Sequence, residues 1–242
     1  MQPCTVWVLR TKSLCSDRDI PVFISYLNAQ ERCKTQTFRT QALRESYVVS
    51  RGFTKWVLAQ AVGGGRAAAI NIHQDKGGKP YVVSPQDNLD FNVSHCPGMV
   101  VVACGENQTV GVDVEPIDQN VDLSIADRHF CASETLQITQ GPSGQQADRF
   151  FEFWTLKEAY LKALGIGLSG GLAAISFELQ YQPRLSYTGA TDDSWSFNLY
   201  QIQDCKLALC RRGGGGEVRF LEWREGRTLQ ISPRQLRESI KK

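Results

Sequence analysis

Apolar and polar positions alternate with a period of two over Leu89 to Val93 and Val110 to Val114, and the short run Thr5 to Leu9 looks like a first strand. Successive side chains of a strand point to opposite faces, so these runs predict strands with one buried side. Tyr81 to Val83, Met99 to Cys104, Phe177 to Leu179, Trp195 to Gln201, Lys206 to Cys210 and Val218 to Trp223 are predicted strands as well, and Ala67 to His73 resembles another. Helical spacing marks Asn28 to Val62, with Phe38, Leu43, Tyr47, Val48, Phe53, Val57 and Leu58 as anchors and Gly63-Gly64-Gly65 as its end. Further helices are predicted around Ile125 to Ile138 and from about Asp148 to Leu164, where Gly165 is placed to turn left-handed after the last turn. Asp75 to Pro80 and Gly213 to Gly216 are turns, and Pro233 to Lys242 a short basic helix or tail. Helices mixed with short, mostly hairpin-linked strands make an α+β fold. Pro116 and the polar Asp118-Gln119-Asn120 divide it into two expected lobes, 1–115 and 116–242.

Composition narrows the class. The 242 residues are 42% hydrophobic and 21% charged, as in an ordinary globular protein. The longest strongly apolar run, Met99 to Cys104, is far short of the ~20 residues a membrane helix needs. Cys4 to Leu9 is too short for a signal peptide, so the expected compartment is the cytoplasm. The eight cysteines include no Cys-x-x-Cys pair, and reduced thiols are expected rather than disulfides or a metal–thiolate site.

The net charge of +2 conceals an asymmetry. Glu31 to Arg66 holds seven bases against two acids, whereas Gly105 to Glu134 holds seven acids against Arg128 alone. Solvated surface accounts for most such runs. A basic segment facing an acidic one also suits a ligand that carries several phosphates and a metal. The total is too small for a nucleic-acid footprint.

The chemistry concentrates in two places. On the strand Gly111-Val112-Asp113-Val114-Glu115 the valines share one face, which puts both carboxylates on the other. On the helix carrying Phe153-Trp154-Thr155-Leu156-Lys157-Glu158-Ala159-Tyr160-Leu161-Lys162, Glu158 and Lys162 share a face. A surface ion pair at that spacing is worth only about 0.3–0.5 kcal/mol. This helix is apolar over most of its circumference, however, and charges on a largely buried helix need partners. Three carboxylates and an ammonium frame a divalent cation beside a phosphate ester, with a candidate general base. His95, in Phe91-Asn92-Val93-Ser94-His95, ends a strand where Ser94 and Asn92 can help it grip a phosphate oxygen. His73 and His129 have no comparable setting. Neither a Gly-x-Ser-x-Gly elbow nor a Gly-x-x-x-x-Gly-Lys-Ser/Thr loop occurs.

Four motifs in order, Gly78-Lys79-Pro80, Phe91 to His95, Gly111 to Glu115 and Trp154 to Lys162, resemble those of the 4′-phosphopantetheinyl transferases of the surfactin-synthetase-activator type. Arg44 to Leu58 also resembles that family's N-lobe helix, and the likeness spans about residues 30 to 170. The resemblance implies a pseudo-symmetric monomer of two similar α/β lobes with small, mostly antiparallel sheets and the active site in the cleft between them. It implies Mg2+ as cofactor, coenzyme A as co-substrate, and an apo acyl, peptidyl or polyketide carrier protein as partner, with neither nucleic acid nor membrane. The phosphopantetheine arm would pass to a carrier serine and release adenosine 3′,5′-bisphosphate. Carried over by position, Asp113, Glu115 and Glu158 are metal ligands and Glu158 also the general base. Lys162 stabilises phosphate charge, with Lys157 nearby, and His95 holds the pyrophosphate beside Ser94 and Asn92. Lys79 and Pro80 line the adenine and 3′-phosphate end, where Arg44 is the assigned base and Lys34 and Arg39 the alternatives. Two other functions compete: a different magnesium-dependent transferase or hydrolase acting on a nucleotide pyrophosphate, and a non-catalytic coenzyme A-binding module.

Overall fold

The computed structural model describes residues 3–83, 88–167, 171–179, 184–190, 194–213 and 216–239. In chain order the elements are β1 (Cys4–Arg10), α1 (Ser16–Tyr26), α2 (Ala29–Thr35), α3 (Gln41–Ala61), β2 (Ile72–Gln74), β3 (Pro80–Val82), β4 (Leu89–Cys96), β5 (Met99–Glu106) and β6 (Thr109–Pro116). They continue with α4 (Ser124–His129), α5 (Ala132–Thr139), α6 (Gln146–Leu164), β7 (Ser176–Leu179), β8 (Arg184–Thr188), β9 (Trp195–Ile202), β10 (Cys205–Arg212), β11 (Val218–Arg224), β12 (Arg227–Ile231) and β13 (Arg234–Ser239). One sheet has the order β12-β11-β1-β5-β4, a second β6-β10-β9-β13-β8-β7, and β2 pairs with β3. Pairing is antiparallel except between β1 and β11 and between β13 and β8. The fold is α+β with small, mostly antiparallel sheets.

Alternation along the strands sets the layering. Val6 and Val8 of β1 and Val101 and Ala103 of β5 pack against Val112 and Val114 of β6 and Leu207 and Leu209 of β10, so the sheets meet face to face. The intervening Trp7, Leu9, Val100 and Val102 turn the other way, onto Phe23 of α1 and Phe53 and Val57 of α3. On the far side, Ala208 and Cys210 of β10 meet Phe153, Leu156 and Tyr160 of α6. Strands covered on both faces read as continuous apolar runs, which is the pattern of β5. Phe53 and Phe153 have no exposed surface, and truncating either to alanine is expected to cost about 3–5 kcal/mol.

Several local expectations are corrected. The single helix over 28–62 is two, because polar caps override the apolar period. Asn28 and Glu31 form a capping box at the start of α2, and Thr40 accepts from the Leu43 N–H at 3.2 Å to begin α3. The helical region 125–138 divides into α4 and α5 at Cys131, whose N–H donates to Glu134 at 3.0 Å. Ala67–Ala69 is a 3₁₀ turn and only Ile72–Gln74 is strand. Residues 234–239 are neither helix nor tail but β13, held between β9 and β8. Its buried Arg237 donates to Glu152 of α6 at 3.1 Å, a tertiary partner that the local sequence does not announce. α1, β8 and β12 are elements that the apolar pattern does not predict, and positions 214–215 and 240–242 of the expected turn and tail lie outside the described residues. Sheet membership crosses the 115/116 boundary in both directions: β6 belongs to the second sheet, whereas β11 and β12 complete the first.

Candidate active site

Two sheet edges meet at the site, and side chains join them. β4 is the outer strand of the first sheet and β6 the outer strand of the second. Asp90 Oδ2 accepts from the Val110 N–H at 2.8 Å, Asn92 Oδ1 from Val112 at 3.1 Å and Ser94 Oγ from Val114 at 3.3 Å. The polar alternation of β4 thus satisfies backbone donors that an exposed edge would leave open. It also fixes the register of Ser94 against Asp113.

Ser94 Oγ donates to Asp113 Oδ1 at 2.9 Å. Lys162 Nζ reaches Asp113 Oδ1 at 2.6 Å and Ser94 Oγ at 2.9 Å. The ion pair of Lys162 therefore crosses from α6 to β6 rather than running along the helix to Glu158. Glu115 accepts from the Trp154 side chain, and its carboxyl is pushed up to about 7 by burial and by the charges of Asp113 and Glu158. Glu158 is raised in the same direction by burial and by Asp113, with Lys162 opposing. Three carboxylates share one ammonium. His95 stands at the exposed end of β4, its pKa lowered by the atoms packed round the ring and by Lys162, with Asp113 opposing.

Gly111 sets how deeply α6 can sit. A Cβ at this position would overlap the Ala159 carbonyl oxygen and lie 2.6 Å from the Ala163 nitrogen. Only glycine lets the helix backbone rest on β6, which lowers Lys162 onto Asp113. The far end of α6 is capped from the N-terminal half. Gly165 takes φ 70°, and Lys79 Nζ donates to the Ala163 carbonyl at 3.0 Å while pairing with Asp90 at 2.6 Å. A cation there also suits the negative end of the helix dipole.

The remaining candidates separate. Lys157 is fully buried and faces away from Asp113: it pairs with Glu134 at 2.9 Å and donates to the carbonyls of Leu172 and Ile175. Arg44 is exposed and donates to the Thr35 carbonyl at 3.1 Å, Lys34 lies over the Tyr47 ring, and Arg39 is exposed. Pro80 opens β3 opposite Gln74. Of the seven N-terminal bases, Arg51 and Lys55 are occupied by Glu31, at 2.6 and 3.0 Å. A pocket of 510 Å³ opens beside His95, with Ala42, Glu45, Ser46 and Val49 of α3 along one wall and Cys96 on the other. Asp90 and Trp154 are site residues that sequence reasoning missed. The Asp90-x-Asn92-x-Ser94 alternation carried the signal for the first.

Asp113 Oδ2 is buried and has no hydrogen-bond partner among the described residues. Buried polar atoms are normally satisfied, by an ordered water or an ion where no protein donor is at hand. Among the described residues no three His, Cys, Asp or Glu side chains are disposed to hold a metal by themselves. Magnesium commonly takes only one or two carboxylates and completes its shell with water and substrate phosphate. The donor set fits that ion.

Protein-family models match most of the chain: "4′-phosphopantetheinyl transferase, N-terminal" over residues 15–107 and "4′-phosphopantetheinyl transferase superfamily" over 109–210. A phosphopantetheinyl transferase of Thraustochytrium sp. is 31% identical over 196 residues, covering 74% of this chain and 67% of that protein. The 4′-phosphopantetheinyl transferase HetI of Nostoc sp. is 27% identical over 198 residues, covering 80% and 82%. The 4′-phosphopantetheinyl transferase Sfp of Bacillus subtilis is 29% identical over 143 residues, covering 58% and 62%. With Gly111, Asp113, Glu115, Glu158 and Lys162 inside the matched segments, the chain belongs to the 4′-phosphopantetheinyl transferase superfamily.

Proposed function

We propose that this chain transfers the 4′-phosphopantetheine arm of coenzyme A to a serine hydroxyl of an apo carrier protein, with magnesium, releasing adenosine 3′,5′-bisphosphate. The observation that carries the proposal is the buried, unpartnered Asp113 Oδ2 within a group of three carboxylates and a single lysine. Asp113, Glu115 and Glu158 are assigned to the magnesium together with water and substrate phosphate, since the carboxylates alone do not form a closed metal site, and the ion would supply Lewis-acid neutralisation of pyrophosphate charge. Glu158, raised above an ordinary carboxylate, suits the general base for the serine, directly or through one water. Lys162 neutralises charge on the transferring group, and His95, beside the pocket, holds the pyrophosphate. Lys79, Pro80 and Arg44 are assigned to the adenine and 3′-phosphate end. The substrate would lie between an N-terminal lobe, 1–115, and a C-terminal lobe, 116–242, across the β4–β6 seam.

Incubating the protein with coenzyme A and an apo carrier, with and without magnesium, tests the assignment by intact-mass measurement of the carrier. A phosphopantetheine mass gain that requires magnesium is expected. Cleavage of coenzyme A with no gain on any carrier would instead identify a pyrophosphate hydrolase.

A further inference from the structure

The β4–β6 seam ends in sulfur. Its ladder pairs Asp90 with residue 110, Asn92 with 112 and Ser94 with 114, so the next step places Cys96 beside residue 116. That residue is Pro116, which has no N–H to give. Its cross-strand neighbour on β10 is Cys205. Cys96 packs against the apolar cluster that contains Cys205, which brings the two thiols to the same end of the seam. Both are free thiols.

We propose that Cys96 and Cys205 form a reversible disulfide that clamps the two sheets together at the His95 end of the seam and stops transfer. Access exists on one side, because Cys96 lines the pocket beside His95 while Cys205 is buried. Cys96 is therefore the sulfur that a small oxidant in the pocket reaches first. The oxidant is a hydroperoxide. One oxygen passes to the Cys96 sulfur, giving a sulfenic acid and the corresponding alcohol, or water from hydrogen peroxide. The Cys205 sulfur then attacks, the S–S bond forms, and the hydroxyl leaves as water with the Cys205 proton. A dithiol reverses the change by exchange.

The mechanical consequence follows from bond lengths. Bonded sulfurs stand about 2.05 Å apart, closer than any non-bonded contact, so closure holds β4 and β10 at a disulfide spacing. Cys96 adjoins His95, and Lys206, next to Cys205, is the register partner of Glu115. A misplacement of about 1 Å at reacting groups costs on the order of 10²-fold in rate. The inhibition rests on the transferase assignment above; the disulfide does not.

The test treats the full chain with hydrogen peroxide, maps cysteine-containing peptides by mass spectrometry, and measures transfer before oxidation, after it, and after dithiothreitol. We expect a Cys96–Cys205 cross-link, a rate loss of about 10²-fold, and recovery on reduction. Cys96→Ser and Cys205→Ser, each compared with its own reduced rate, should resist peroxide. Cross-links only between other cysteines, or a Cys96–Cys205 link that leaves the rate unchanged, would overturn the proposal. Should Cys205→Ser fail to fold, the unmutated chain and Cys96→Ser still decide it. A reduced protein with no transfer activity would count against the transferase assignment, and the peptide map would judge the thiol pair separately.

Discussion

On one side of α6, Lys157 is fully buried, and each of its three protons has an acceptor: Glu134 and the carbonyls of Leu172 and Ile175. Glu134 is equally complete, since it also accepts from the backbone of Cys131 and Phe177. One residue further along, the helix turns Glu158 toward a group in which Asp113, Glu115 and Glu158 share Lys162 and an Asp113 oxygen has no donor. The first cluster balances its charge and closes. The second keeps a surplus of negative charge in a partly buried place, which costs stability until a cation arrives. Buried charge alone therefore does not mark the site; unbalanced buried charge does.

The sharpest way to break this contrast is Asp113→Asn, which keeps shape but removes the pair with Lys162. Transfer is expected to fall by about 10³-fold, in the range seen when one preorganised electrostatic contact is lost. Initial rates over a magnesium titration check this, and a wild-type rate at limiting magnesium would remove Asp113 from the metal site. Lys157→Met should do the opposite. It leaves Glu134 buried without its cation, for about 3–5 kcal/mol of stability, while the rate per folded molecule holds. Urea unfolding alongside an active-site titration separates the two quantities, and a stable but inactive Lys157→Met would return Lys157 to the site. Glu158→Gln keeps size but cannot take a proton, so single-turnover transfer should slow by about 10²-fold with coenzyme A still bound. A near-normal single-turnover rate would end the base assignment.

Glu115→Gln is the mildest and tests the surplus itself. A carboxyl raised to about 7 holds a proton in the folded protein that the unfolded chain releases. Its contribution to stability is present below the unfolded value near 4.5 and is lost as pH rises through about 7. Metal-free wild type should lose several degrees of Tm across that window, and Glu115→Gln should lose fewer. Magnesium should recover more of the wild-type Tm at the alkaline end. Identical pH profiles in calorimetry would show that Glu115 is not part of the surplus.

Much of this was legible in short-range pattern. Val112 and Val114 fix the face of Asp113 and Glu115, and the apolar girth of α6 announces that its charges need partners. What stayed hidden depends on distant chain. Lys157 adjoins Glu158 in sequence, but a helix turns about 100° per residue, and only packing against Glu134 shows which side is which. Arg234 to Ser239 lacks an apolar alternation, because β13 buries Arg237 against Glu152 instead of a hydrocarbon. The break between α2 and α3 was readable from Thr40, which caps the start of α3, and the continuous apolar period obscured it.

The pairing of β1 with β11 has a consequence during synthesis. Cys4 lies opposite Val218 and Leu9 opposite Trp223, so the strand that opens the first sheet is completed by one made far later along the chain. β5 can cover one edge of β1 early. The other edge must wait while the ribosome adds the intervening chain, on the order of tens of seconds at ordinary elongation rates. Throughout that interval an apolar strand with open hydrogen-bonding groups is available to any neighbour. Polypeptides released before β11 emerges keep that edge permanently, which makes them clients of chaperones and proteases rather than partly active enzymes.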